Sequence, residues 1–549
     1  MDNPTRSTPI ATDSAKRTYN KWVNNPVLED YALRYAPKSF RRWSEFAVAS
    51  SAIGGIAYLA DFAIGGSIAV SYGFTNALCA ILAAAVVIFL TGLPISYYSA
   101  KYNIDMDLLT RGAGFGYLGS TLTSLIYASF TFIYFSLEGS VMAQALTLFF
   151  RMPLAVAYLI CALLVIPMVI YGMTFITKLQ IWTQPIWLAL MGLPFVVIFA
   201  KDPDTFSRWV SFAGNSPYGS QFHFISFGLA SGVVLSLIAQ IGEQVDYLRF
   251  MPDKTRATRN RWWLAVLLAG PGWVILGAIK QLGGTCLASY IAPKVGLHKA
   301  DEPILMFNEA FSQFIPSTFW ALTVATFFVV LSQIKINVTN AYSGSLSWSN
   351  FFSRVFHAHP GRIVWLFLNV GIALALMEWG VFGFLNAVLG FYSNVAVAWI
   401  GAVVADLVIN KNLLKLSPSY VEFKRAHLYN FNPVGFGSML IASAVSIAAY
   451  FGAFGKTAQA FSPFLALGLA FTLSPFIAII TRGKFYIARE NPFLAMTPAR
   501  TTDTAAHSRC GVCSHDYEHP DLAHCPYHSN TICSLCCSLD KDCHDVCKR

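Results

Sequence analysis

Apolar runs of roughly 20 residues recur along this 549-residue chain, each long enough to cross a bilayer as a helix. Twelve such spans are expected, over 46–71, 74–99, 116–147, 153–173, 179–200, 222–245, 262–287, 317–345, 363–383, 385–409, 432–454 and 461–481. In lipid every backbone polar group must be paired within its own segment, so the expected fold class is an all-α polytopic membrane protein. Charge agrees: only 12% of residues are Asp, Glu, Lys or Arg, and a soluble chain would carry about twice that.

Lys and Arg crowd the connections on one side, as with Arg41, Arg42, Lys101, Arg249, Lys254, Arg256, Lys424 and Arg425, and are sparse on the other. The inside-positive rule then places both termini in the cytoplasm. It also explains the net charge of +10 without nucleic acid. The first 43 residues are polar and lack the apolar core of a cleavable leader. The expected organisation is a cytoplasmic segment over 1–43, a membrane domain over 44–490 and a cytoplasmic Cys-rich tail over 491–549, in a bacterial inner membrane.

The polar residues inside the spans are the informative ones, because they are costly at bilayer depth and mark cavities or pathways. The eighth span carries Gln333, Lys335, Asn337, Thr339 and Asn340. Lys335 and Thr339 are four apart and Asn337 and Asn340 three apart, giving adjoining polar stripes. Hydrogen-bonded packing between helices would explain the amides and hydroxyls, but a lysine demands more. The third span holds Glu138 with Tyr134 one turn earlier; a ring that stacks beside a carboxylate that accepts N–H protons suits a flat nitrogen heterocycle. In the first span Gly54, Gly55, Gly65 and Gly66 surround Tyr58 and Asp61; in the sixth, Gly228, Gly232 and Gly242 accompany Gln240, Glu243, Gln244 and Asp246. Glycine-interrupted spans at matching places in two halves point to broken helices around a midplane site, although glycines also serve close packing. Asp61 and Lys335 are candidate charge partners.

With these features in order, the chain resembles the nucleobase–cation symporter family, the purine/cytosine permease and hydantoin transporter group. The resemblance covers roughly 40–490 and rests on IDMDLLTRGAGFGYLGS (104–120), the FIYFSLE stretch around Tyr134, IYGMTFITKLQIWTQP (170–185), VDYLRF (245–250) and NVTNAYSGSLSWSNFFSRVF (337–356). It implies the leucine-transporter fold of two inverted five-helix repeats plus two helices, with substrate between spans 1, 3, 6 and 8. It also implies Tyr134 as the stacking aromatic, Glu138 and Asn340 as hydrogen-bonding groups and Gln240 as a further polar contact. Sodium-coupled members hold the ion between span-1 carbonyls, here near Gly54 and Ala57, and span-8 hydroxyls. Ile334 and Lys335 fall at those hydroxyl positions, so no sodium is expected; Asp61 and Lys335 become the candidate ion- or proton-coupling groups.

Eight of the eleven cysteines lie in the last 40 residues. Cys510-x-x-Cys513 and Cys533-x-x-Cys536, 19 residues apart, have the spacing of paired zinc knuckles. Cys525, Cys537, Cys543 and Cys547 could supply a second site, and an iron–sulfur cluster would use the same thiolates. The tail, ICSLCCSLDKDCHDVCK above all, resembles a segment that joins transporter-like modules to signalling domains in hybrid sensor histidine kinases. Two functions follow as expectations. One is a secondary transporter of a nucleobase-like heterocycle; the other is a transporter-shaped sensor that reports through its tail to a separate kinase. No catalytic nucleophile–base set is present in the spans, so no enzyme is expected.

Overall fold

Among the described residues, eight helices are long and apolar enough to span a bilayer, and a ninth span is a pair bent by 45°. The computed structural model describes residues 23, 28–491 and 507–548. The bent pair is the first span: α1 (Glu45–Gly54) ends in a tight turn over Gly55–Ala57, and α2 (Ala60–Tyr72) resumes after Leu59. Spans 2 to 5 are α3 (Phe74–Tyr102), α4 (Ser120–Phe150), α5 (Leu154–Ile170) and α6 (Gly172–Lys201). The sixth comprises α7 (Phe224–Leu235) and α8 (Gln240–Leu248), joined by a 3-10 turn over Ser236–Ala239. The seventh is α9 (Arg259–Ala269) followed by α10 (Trp273–Val295), and the eighth is α11 (Thr318–Phe356). The rest are α12 (Arg362–Glu378), α13 (Leu385–Ala405), α14 (Gly435–Tyr450) and α15 (Ser462–Thr481). Three of the twelve expected spans, α5, α12 and α14, are thus only 16 or 17 residues long.

Apolar side chains face outward as well as into the core. Leu82, Val86 and Leu90 recur every four residues on α3 and are 51–61% exposed, an apolar stripe suited to lipid chains. Glu138, Gln333, Lys335, Asn337 and Asn340 are all 0% exposed. α4 and α11 pack along most of their length, and α2 lies against α10. Close approach explains the glycines better than helix breaking does. A Cβ at Gly65 would stand 1.9 Å from the Gln281 carbonyl oxygen on α10, and one at Gly242 would stand 2.5 Å from the Tyr127 ring. Only Gly54 and Gly55 sit at a sharp break, and none of the sixth-span glycines lies in its 3-10 turn. The expectation of two glycine-broken spans is therefore corrected to one sharp break and one tightened turn, the remaining glycines being packing contacts.

The tail folds as two small antiparallel ribbons and a short helix. β1 (His507–Arg509) pairs with β2 (Asp516–Glu518), β3 (Leu522–Cys525) pairs with β4 (Asn530–Cys533), and α16 (Ser534–Leu539) follows. It packs against the end of the bundle where the chain enters α1.

Candidate functional site

Breaking a helix frees backbone groups that must find new partners. At the break between α1 and α2 the freed N–H groups point to two side chains. Glu138 Oε2 accepts from the Ala60 N–H (3.2 Å) and from Gln333 Nε2 (2.6 Å), while Gln333 Oε1 accepts from the Leu59 N–H (3.3 Å). A carboxylate at the N-terminus of α2 is also where the helix dipole favours negative charge. The freed carbonyls face donors on other spans. Lys280 Nζ, from α10, donates to Ile56 O (2.5 Å) and Tyr58 O (2.9 Å), pairs with Asp61 Oδ2 (2.9 Å) and lies 3.7 Å from the Tyr58 ring centroid. Trp187 Nε1, from α6, lies 3.1 Å from Ala57 O and 3.0 Å from Ser332 Oγ on α11. A lysine and an indole N–H thus occupy the carbonyls of the broken helix.

Two expected site residues are brought to the helix interruptions. Tyr134 shares a hydrogen bond of 2.8 Å with Ser236 in the sixth-span turn, and Glu138, one helical turn on, caps α2. Asn340 donates to Asn337 (3.2 Å) on its own helix, and Gln240 donates to Glu243 (2.8 Å) on its own helix. Among the buried polar atoms here without a hydrogen-bond partner are Glu138 Oε1, Asn340 Oδ1 and Asn337 Nδ2. The first two are acceptors and the third donates. Such orphans are expensive unless a ligand or water meets them.

The expected Asp61–Lys335 pair does not form. Asp61 belongs to Lys280, whereas Lys335 Nζ donates to Gln180 O (3.0 Å) and Thr183 Oγ1 (2.8 Å) on α6. Helical spacing gives the face a lysine occupies but not the helix packed against it. Lys280 and Trp187 were missed by the sequence reading. The available signal was the polar pair Lys280 and Gln281 inside the mostly apolar GWVILGAIKQLGG of span 7.

Toward the tail end the bundle is closed by buried polar bonds, many from the quoted motifs. Arg249 pairs with Asp105 (3.1 Å) and donates to Tyr342 Oη (2.8 Å). Asp107 accepts from Ser347 (2.9 Å) and from Ser124, and Arg354 donates to Ser120 and Ser124. Asp246 accepts from Tyr127 (2.9 Å). These bonds link the connection before α4 to α8 and α11, across the route from the site to that end.

The four thiols of Cys510, Cys513, Cys533 and Cys536 lie within 4.8 Å of one another. A tetrahedral ion with metal–sulfur bonds of about 2.3 Å wants its sulfurs about 3.8 Å apart, so the set fits a metal with little adjustment. The Cys533 N–H donates to Cys510 Sγ (3.3 Å) and the Cys536 N–H to Cys533 Sγ (3.4 Å), contacts that suit thiolates. The expected second set is not gathered as closely: among the described residues only the first forms such a group. The tail is tied to the bundle by Arg34–Asp521 (2.7 Å), Lys38 N to Glu518 (2.8 Å), Arg425–Asp545 (2.9 Å) and Tyr35 to Glu518. Burial raises the Asp545 carboxyl, but Lys548 and Arg425 more than offset it and hold it below the usual range.

No family model matches the sequence, and no curated protein matches it. Solved structures do. Mhp1, a nucleobase-cation-symport-1 family transporter in a closed conformation with bromovinylhydantoin bound, superposes with a TM-score of 0.59 at 17% identity, over 84% of this chain and 99% of that one. Its inward-facing conformation gives 0.54 at 18% identity, over 81% and 95%. A substrate-bound, outward-open Na+-coupled sialic acid symporter gives 0.56 at 14%, over 85% and 95%. The chain has the leucine-transporter type of fold expected from its motifs.

Proposed function

We propose that this protein is a secondary transporter of a small nitrogen heterocycle of the nucleobase or hydantoin class, working without sodium. The observation that carries the reading is that Tyr134 bonds the sixth-span turn while Glu138, with one oxygen unpartnered, caps α2 at the break of span 1. Glu138 Oε1 would accept a ring N–H, Asn337 Nδ2 would donate to a ring carbonyl, and Tyr134 would stack. The bromovinylhydantoin bound to Mhp1 is a heterocycle of this kind. Transport would proceed by rocking one repeat against the other about this site, opening the Asp105–Arg249 end in one phase of the cycle. Nothing in this reading calls for covalent chemistry, so the protein is proposed as no enzyme.

Sodium independence rests on Lys280 and Trp187 rather than on Lys335. Lys280 Nζ already donates to the Ile56 and Tyr58 carbonyls, span-1 oxygens that a cation would otherwise find free. The Ala57 carbonyl and the Ser332 hydroxyl, oxygens of spans 1 and 8, already share the Trp187 N–H. Asp61 with Lys280 is then the coupling pair to test for protons; Lys335 stays a second candidate.

We further propose that the first tail quartet holds a structural zinc, with both termini on the cytoplasmic face of a bacterial inner membrane. Four thiolates about a closed tetrahedral ion would fix the two ribbons. An iron–sulfur cluster on the same ligands would show its colour. The docking of the tail across the closed end also favours the sensor reading, in which ligand occupancy is passed to a separate kinase. A thermal-shift screen with hydantoin, allantoin, uracil, cytosine, adenine and xanthine identifies binders. Uptake of a radiolabelled binder into proteoliposomes then separates the readings, because a pure sensor binds without accumulating.

A further inference from the structure

The four tail cysteines left over, Cys525, Cys537, Cys543 and Cys547, share one cavity, although their sulfurs are not gathered as closely as those of the first quartet. All four line one small enclosed cavity with about 10 Å³ of free volume, enough for a single ion or water. Its other walls come from Arg425 and Ala426 of the bundle and from Asp540 and Asp545 of the tail. Cys525, Cys537 and Cys543 are buried and Cys547 half-buried, and none is in a disulfide. Two of the thiols have only weak contacts with backbone oxygens: Cys543 Sγ lies 3.9 Å from Asp540 O, and Cys547 Sγ lies 3.9 Å from Ala426 O.

One histidine, His524, also lines the cavity. His528 does not; its Nε2 is 2.5 Å from Asp540 Oδ2. Positive charge is in place. Arg425 donates to the Cys537 carbonyl (2.9 Å), to the Asp540 carbonyl and to Asp545 (2.9 Å), and Lys548 lies 3.4 Å from Asp545. A divalent ion on four thiolates leaves two net negative charges; Arg425 and Lys548 lie beside them but are shared with Asp545.

The order of ligands along the chain supports the same assignment. Cys510 and Cys513 belong to the first group, Cys525 to the cavity, Cys533 and Cys536 to the first group, and Cys537, Cys543 and Cys547 to the cavity. The two sets interleave, and the adjacent residues Cys536 and Cys537 on α16 divide between them. A unit of some 40 residues has too small a core to hold itself by apolar burial, and cross-bracing metals are one remedy.

We propose that Cys525, Cys537, Cys543 and Cys547 bind a second thiophilic divalent ion, of the zinc class, at the seam between the tail and the bundle. On binding, each of the four thiols gives its proton to solvent, and Cys543 and Cys547 exchange their carbonyl contacts for metal bonds. The ion would then brace the tail where Arg425 and Ala426 reach into it.

Elemental analysis of the full chain, purified in detergent with zinc and without chelators, tests this. Two zinc equivalents per chain are expected. Cys537→Ser with Cys543→Ser should leave one, and Cys513→Ser with Cys533→Ser should remove the other. Cys547→His, which keeps a ligand, should retain two and so separates lost coordination from a misfolded tail. A count of one that is unchanged by Cys537→Ser with Cys543→Ser overturns the second site. So does reaction of all four cavity thiols with a thiol reagent before any chelator is added. No metal at all overturns both tail sites while leaving the transport reading to its own uptake assay.

Discussion

Lys280 lies on α10 in a segment of mostly apolar residues, and its ammonium is held by two carbonyls, a carboxylate and the face of a tyrosine. Removing one partner of a buried ion pair leaves the other uncompensated, at a typical cost of about 3–5 kcal/mol. Lys280→Met should therefore lower the thermal unfolding temperature sharply, and adding Asp61→Asn should restore part of it; thermal scanning in detergent measures both. If the single variant is as stable as the parent, the pair is not formed. Glu138 is argued on ligand binding. Losing a buried bond to a charged group costs about 1.5–3 kcal/mol, so Glu138→Ala should weaken the best screened heterocycle about tenfold or more. Asn340→Ala should also weaken it, whereas Gln240→Ala, whose partner is Glu243, should change affinity little. Unchanged affinity in both Glu138→Ala and Asn340→Ala would remove them from the site. Tyr134 and Glu138 were legible in sequence because they lie one turn apart on a single helix. The partner of Lys335 was not, because it lies 155 positions away on α6, a relation that only packing defines.

At the scale of elements, the span count and the Cys-x-x-Cys knuckles were readable because each is a local pattern: membrane-length apolarity in one case, ligand spacing in the other. The breaks were less so. Glycine marks close approach as well as interruption, and the contacts of Gly65, Gly228 and Gly242 show that most of these glycines serve the first. The docking of the tail was hidden for a different reason, since Arg425 reads as an ordinary inside-positive charge and Lys38 contributes only its backbone N–H. If those bonds hold the tail, Asp521→Asn or Arg425→Ala should speed amide hydrogen exchange across 507–548 while leaving α4 and α11 protected. Chelation of the tail metal should do the same. Exchange in the tail that is unchanged in both variants would show that docking does not depend on these pairs.

On the scale of the whole molecule, a fold shared with sodium-coupled transporters carries a lysine and an indole N–H on the carbonyls of its broken first span. The bonds of Asp105, Asp107, Arg249 and Arg354 tie the elements together at the tail end of the bundle. The account therefore requires a transporter that closes and reopens with its own cation in place. The most direct measurement is uptake of a radiolabelled binder from the heterocycle screen into proteoliposomes, first with sodium and then with sodium replaced by choline. Accumulation at the same rate in both is the predicted result, and a steep loss of uptake in choline would contradict it.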